Sequence, residues 1–333
     1  MDMQTKPHMD MQTKPGPLLE VQDLSISFMQ YTSGLRQRSV QVIADLSVSV
    51  YPGEIVAVIG SSGSGKSLLA HAILGILPGN AAVSGSIRFA GQKLTPERQE
   101  AIRGREIALI PQSVNYLDPL MQVGKQVRTS IRGGALEGGA ANARAAAAQI
   151  QREVFARYNL GPEVERLFPF QLSGGMARRV LVATALVSGA RLVIADEPTP
   201  GLDDAAVRET LGCFRELADR GRGVMLITHD IETALKIADR IAVFYAGTTV
   251  EIAPAQDFAG AGEALRHPYT KALWRSLPQN DFAPIPGVQP LPHALPGGCL
   301  FQPRCPLATP ECEAGRPEMR TVREGTVRCI HAS

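Results

Sequence analysis

Residues 54–77 read EIVAVIGSSGSGKSLLAHAILGIL, and this stretch decides the architecture. It opens with a short apolar run, 54–59, of the kind that forms a strand buried on both faces. Gly60-Ser61-Ser62-Gly63-Ser64-Gly65-Lys66-Ser67 follows and matches G-x-x-x-x-G-K-[ST], and 66–77 then continues in helical rhythm. Glycines let such a loop wrap closely, so that its N–H groups and the helix N-terminus face phosphate oxygens. In that setting Lys66 bridges the β- and γ-phosphates and the Ser67 hydroxyl holds Mg²⁺. The plain alternative is an ordinary glycine turn. A chance match in a chain this long arises on the order of one per cent of the time, and the strand-loop-helix context lowers that further. The phosphate-loop reading prevails.

Outward from this stretch the chain keeps a strand-turn-helix rhythm suited to an α/β fold. Residues 18–28 and 40–50 alternate as strands of an antiparallel part. Further strands are expected at 86–89, 106–110, 192–195 and 224–228, and the glycine- and alanine-rich 133–148 reads as flexible and then helical. The apolar stretch 180–195 is broken by Thr184, Ser188, Gly189 and Arg191, which makes it a helix followed by a buried strand. No run approaches the roughly 18 apolar residues of a membrane span. The N-terminus has no signal-peptide core, so a cytoplasmic setting is expected. MDMQTKP occurs at 1–7 and again at 9–15. The repeat is too short and polar to stack, and 1–16 is read as a disordered duplication. A length of 333 residues fits one large domain plus an appendage, and a formal charge of +2 from 34 basic and 32 acidic residues argues against a general nucleic-acid binder.

A phosphate loop alone leaves kinases, GTPases and many ATPases open. Leu192-Val193-Ile194-Ala195-Asp196-Glu197 is an apolar strand ending in two carboxylates. Asp196 is placed to hold Mg²⁺ and Glu197 to polarise an attacking water as general base, although strands often end in exposed acids with no such role. Leu172-Ser173-Gly174-Gly175-Met176 precedes a strongly helical run and lies 23 residues before Asp196, counted from Ser173. It resembles the signature of ABC ATPases, usually LSGGQ, with Met176 as the departure. Gln112 after Ile110-Pro111 resembles the Q-loop glutamine, Pro200-Gly201-Leu202-Asp203 the D-loop and Thr228-His229-Asp230 the switch histidine. Five motifs in order identify residues 18–255 as similar to the ABC ATPase domain.

That resemblance implies an ABC-type P-loop NTPase fold at 17–255. Its parts are a RecA-like core, an antiparallel β subdomain and a helical signature subdomain at about 113–180. It implies two such domains paired head to tail, with Ser173, Gly174, Gly175 and Met176 reaching the nucleotide held by the partner. His229 is then expected at the γ-phosphate, Gln112 with Ser67 and Asp196 at Mg²⁺, and Asp203 at the interface. Phe28 is either the adenine-stacking aromatic or plain core, with Tyr31 close by.

Beyond residue 254 prolines cluster and four of the five cysteines fall between Cys299 and Cys329, marking a separate, core-poor C-terminal module at 256–333. His267-Pro268-Tyr269-Thr270, Ile285-Pro286-Gly287 and Gly298-Cys299-x-Phe301-x-x-Arg304-Cys305 resemble the C-terminal extension of oligopeptide/dipeptide importer ATPases. The spacing C-x₅-C-x₆-C-x₁₆-C of Cys299, Cys305, Cys312 and Cys329 suits a metal or cluster staple better than cytosolic disulfides. The family resemblance points to a [4Fe–4S] cluster, with zinc second and four free thiols third. Cys213 reads as core filler, and His293 and His331 flank the cysteines as surface residues or further ligands. The resemblance implies two permease partners, a second homologous ATPase or another copy of this chain, and an extracytoplasmic solute-binding protein. Dipeptide, oligopeptide, nickel and metal-opine cargoes all stay open. A soluble ABC ATPase acting on nucleic acid is disfavoured, since the chain has no second cassette and no basic face.

Overall fold

The computed structural model describes residues 16–31, 36–131 and 140–333. The repeat at 1–15 and most of the glycine stretch read as flexible lie outside the described residues.

The chain opens with β1 (Leu19–Tyr31) and β2 (Gln37–Val50). It then runs β3 (Ile55–Gly60), α1 (Lys66–Leu74), β4 (Ala81–Phe89), β5 (Gln92–Lys93), α2 (Pro96–Ile102) and β6 (Ile107–Ile110). Three helices follow: α3 (Val123–Ser130), α4 (Ala140–Arg157) and α5 (Gly174–Val187). The chain returns to the sheet through β7 (Leu192–Asp196), α6 (Asp204–Asp219), β8 (Gly223–Ile227), α7 (Ile231–Leu235), β9 (Arg240–Tyr245) and β10 (Thr248–Pro254). It closes with α8 (Pro268–Arg275), α9 (Pro310–Ala314), β11 (Arg320–Val322) and β12 (Gly325–Val327).

Two sheets result. The smaller is antiparallel, in the order β2-β1-β4-β5, and the larger runs β11-β12-β10-β9-β3-β8-β7-β6. Strands β9, β3, β8, β7 and β6 are mutually parallel, which requires cover on both faces. Their sequences supply it by alternation. Ile55, Ala57 and Ile59 of β3 face one core cluster while Val56 and Val58 face the other, and Val193 against Ile194 and Leu226 against Met225 repeat the pattern. The first cluster meets the helical layer of α3 to α5. The second meets α1 and the small antiparallel sheet.

Two expectations need correcting, and one element is new. Helix α1 stops at Leu74, not 77, because Gly75 takes φ +65° and closes a left-handed cap, with the Ile76 N–H donating to the His71 carbonyl. The β9–β10 hairpin was not anticipated. The C-terminal chain is not a core-poor module standing apart: β12 pairs with β10, so the tail extends the main sheet, and Leu265, Tyr269, Trp274, Leu300 and Phe301 join the first core cluster. The buried Glu251 carboxylate on β10 accepts from the N–H groups of Arg266 and His267 at 2.9 and 2.8 Å and pairs with the Arg266 guanidinium. His267 then caps α8 by accepting from the Tyr269 N–H at 3.0 Å. Burial pushes its imidazole down to about 3, which keeps it the neutral acceptor that this cap requires.

Candidate active site

The parallel order sets the C-terminal ends of β3, β8 and β7 side by side, and open α/β sheets gather ligands beyond such ends. β3 delivers the loop 60–67, β7 delivers Asp196 and Glu197, β8 delivers His229, and Gln112 follows β6. Ser62, Lys66, Ser67, Gln112, Glu197 and His229 line one cavity of about 340 Å³. Two glycines are forced by close packing. A Cβ at Gly60 would sit 2.2 Å from the Phe244 carbonyl oxygen, and Gly65, at φ +94°, would place one 2.9 Å from Ile43.

The electrostatics are those of a site built for a charged ligand. The Lys66 ammonium donates to the carbonyls of Gly60 at 2.8 Å and Ser61 at 3.1 Å. Burial lowers its pKa, while the carboxylates of Glu197 and Asp196 work the other way. Asp196 shifts upward, chiefly through burial, opposed by a hydrogen bond from Ser67. Glu197 sits at φ +47°, a left-handed conformation unusual for a glutamate, and such outliers gather at functional sites. Its Oε1 accepts from the His229 backbone N–H at 3.1 Å and lies 2.9 Å from His229 Nδ1. Among the described residues, Asp196 Oδ1 and Glu197 Oε2 are buried without a hydrogen-bond partner. Each such atom costs about 1–3 kcal/mol, a cost that a divalent cation and a polar ligand relieve. The donor set of Ser67 hydroxyl, Gln112 amide and Asp196 carboxylate fits a hard, oxygen-seeking cation such as Mg²⁺.

The signature residues lie at the start of α5 and do not line this cavity. Ser173 caps the helix by accepting from the Met176 N–H at 3.2 Å. Two arginines unremarked in the sequence reading link the motifs. Buried Arg178 donates to the carbonyls of Pro111 at 2.7 Å and Gln112 at 2.6 Å, tying α5 to the Q-loop. Arg179 pairs with Asp203, which itself caps α6. Their only sequence signal was two adjacent arginines on an otherwise apolar helix. Val42 and Leu68, also missed, close the cavity. Phe28 packs against the second core cluster and is not a lining residue.

The four C-terminal cysteines lie near enough to one another to interact electrostatically. Burial leads in pushing the Cys299, Cys305 and Cys329 thiols up, and neighbouring thiols add to it. Cys312 Sγ lies 3.5 Å from His331 Nε2. Among the described residues, however, no three His, Cys, Asp or Glu side chains stand at metal-binding spacing. The expected cluster staple therefore gains no support from the geometry. Cys213 is core, accepting from the Tyr158 hydroxyl at 3.2 Å.

Residues 43–200 match the ABC transporter family and 250–312 match the oligopeptide/dipeptide transporter C-terminal region. The Escherichia coli dipeptide transport ATP-binding protein DppD is 34% identical, across 94% of this chain and 96% of its own length. This chain belongs to the ABC transporter ATP-binding family. The Mycobacterium tuberculosis oligopeptide transport ATP-binding protein OppD is 38% identical, but the chain spans only half of that relative's length. The solved ATP-binding subunit of an ABC transporter superposes with a TM-score of 0.57 at 28% identity, covering 72% of this chain and 91% of that one. A dimeric bacterial ABC transporter cassette gives 0.59 at 23% identity, covering 71% of this chain and 98% of the other, and so agrees in fold. Among the described residues no helix is long and apolar enough to cross a membrane.

Proposed function

We propose that this chain binds and hydrolyses ATP as the motor subunit of a bacterial peptide importer, on the cytoplasmic face of the membrane. The observation that carries this reading is the meeting of Lys66, Ser67, Gln112, Glu197 and His229 around one cavity, beside two buried carboxylate oxygens that have no hydrogen-bond partner among the described residues. Peptide cargo is supported by the match at 250–312 and by relatives named for oligopeptide and dipeptide transport.

In this reading the loop N–H groups and Lys66 grip the phosphates, and Ser67, Asp196 and Gln112 would hold Mg²⁺, which would neutralise phosphate charge. Glu197 accepts a proton from the attacking water at its free Oε2, while His229 holds the other carboxylate oxygen in place. The chain pairs head to tail with a homologous ATPase or a second copy. Ser173, Gly174, Gly175 and Met176 then face the partner's nucleotide, with Arg179 and Asp203 at the seam. Two permeases and a solute-binding protein complete the importer. Residues 17–255 form the ATPase part and 256–333 the importer-type extension. An iron–sulfur cluster at Cys299, Cys305, Cys312 and Cys329, with zinc second, is proposed on the spacing of the four cysteines in the sequence. Anaerobically purified protein should carry iron and sulfide in equal amounts, and colourless protein with stoichiometric zinc selects the second option.

The function is tested in vesicles containing the chain co-purified with its permeases and binding protein. Labelled peptide uptake should require ATP on the side bearing this subunit. Uptake that proceeds at the same rate without ATP contradicts the proposal.

A further inference from the structure

The three C-terminal motifs, HPYT, IPG and the Phe301–Cys305 segment, are not used by the nucleotide chemistry above, yet they converge on the phosphate loop. Arg304 is the clamp. Its guanidinium donates to the carbonyls of Pro286 at 2.7 Å and Ile285 at 3.0 Å, and to the Tyr245 hydroxyl at 3.3 Å. It also lies over the Tyr245 and Phe301 rings. Tyr245 ends β9, the strand next to β3, where Gly60 pairs with Phe244. Tyr269 fills the space between, 4.5 Å from the Tyr245 ring and 5.4 Å from that of Phe301. Gly287, at φ +73°, turns the chain past Arg304, and two residues later the Gln289 side chain accepts a hydrogen bond from the Ser61 hydroxyl. Ser61 also offers one of the two carbonyls that receive Lys66.

We propose that Gln289 is a positioning residue for nucleotide binding, bracing the phosphate loop at Ser61 so that its N–H groups and Lys66 are set before ATP arrives. The brace rests on the nucleotide reading above and deepens it. A preformed loop loses less freedom on binding than a loose one, so the brace acts on affinity and not on the hydrolytic step. It also gives the importer-type extension a physical purpose at the ATP site, more than 200 residues away in sequence.

The test uses the full chain as wild type, Ser61→Ala, Gln289→Ala and the Ser61→Ala/Gln289→Ala double variant. Circular dichroism of each variant, compared with wild type, separates the brace from a failure to fold. Each single change should raise KM for ATP about five-fold, the worth of one neutral hydrogen bond, with kcat within two-fold. The double variant should be no worse than either of its singles, because both remove the same contact. In nucleotide-free protein, amide exchange over residues 60–67 should quicken by a similar factor. If wild type binds nucleotide but Gln289→Ala leaves both KM and loop exchange unchanged, or the double variant multiplies the single effects, the brace is overturned. A wild type that binds no MgATP overturns the nucleotide reading, and this role with it.

Discussion

Glu197→Gln is expected to lower ATP turnover by two to three orders of magnitude while leaving MgATP binding intact. The amide keeps an oxygen for the His229 N–H, so the 3.1 Å contact that holds the side chain can persist. It also keeps the shape of a side chain whose backbone already sits in an unusual conformation, φ +47°. What it removes is the basicity of the buried Oε2, which has no hydrogen-bond partner among the described residues. General-base assistance is worth about 10²–10⁴-fold, and the loss should fall in that range. With its proper companion subunit present, the variant should accumulate in an ATP-bound, closed dimer, since in the proposed head-to-tail pair hydrolysis is the step that parts the halves. Release of phosphate at the wild-type rate contradicts the assignment of the base.

The site was legible in the sequence where chemistry and local structure coincide. A strand, a glycine loop and a helix are contiguous in 54–77, and the Asp196-Glu197 pair closes an apolar run, so the placing of these residues at strand ends could be read locally. Contacts between distant segments left no such trace. Val42 reaches the cavity from the antiparallel sheet, and Arg178 reaches the Q-loop carbonyls from 66 residues away. Phe28 was an even choice between ligand and core because an aromatic at a strand end serves either purpose. The structure packs it on the core. Strands β11 and β12, three residues each, are too short to show alternation, and their pairing depends on β10, about 70 residues earlier. For the same reason the C-terminal segment looked poor in core: Tyr269 and Phe301 belong to a core supplied mostly by other parts of the chain. Cysteine spacing gave proximity but not ligand geometry.

Lys66→Ala is expected to weaken MgATP binding by at least about 100-fold. Lys66 lines the cavity and attracts both Asp196 and Glu197, and its own pKa is lowered by burial that these two carboxylates partly offset. Removing it deletes charge-assisted contacts worth about 1.5–3 kcal/mol each and leaves two carboxylates facing an anionic ligand. It also frees the carbonyls of Gly60 and Ser61, so part of the loss comes from a looser loop. Circular dichroism of the variant should match wild type, because the first core cluster does not include Lys66.

The central claim is that these residues form one half of a nucleotide clamp, and calorimetric titration of MgATP into the full chain and into Lys66→Ala tests it most directly. Saturable binding at one site by wild type, with no measurable heat from the folded variant at the same concentrations, is the result expected here. Equal affinity in the two proteins, or no binding by wild type, would contradict it.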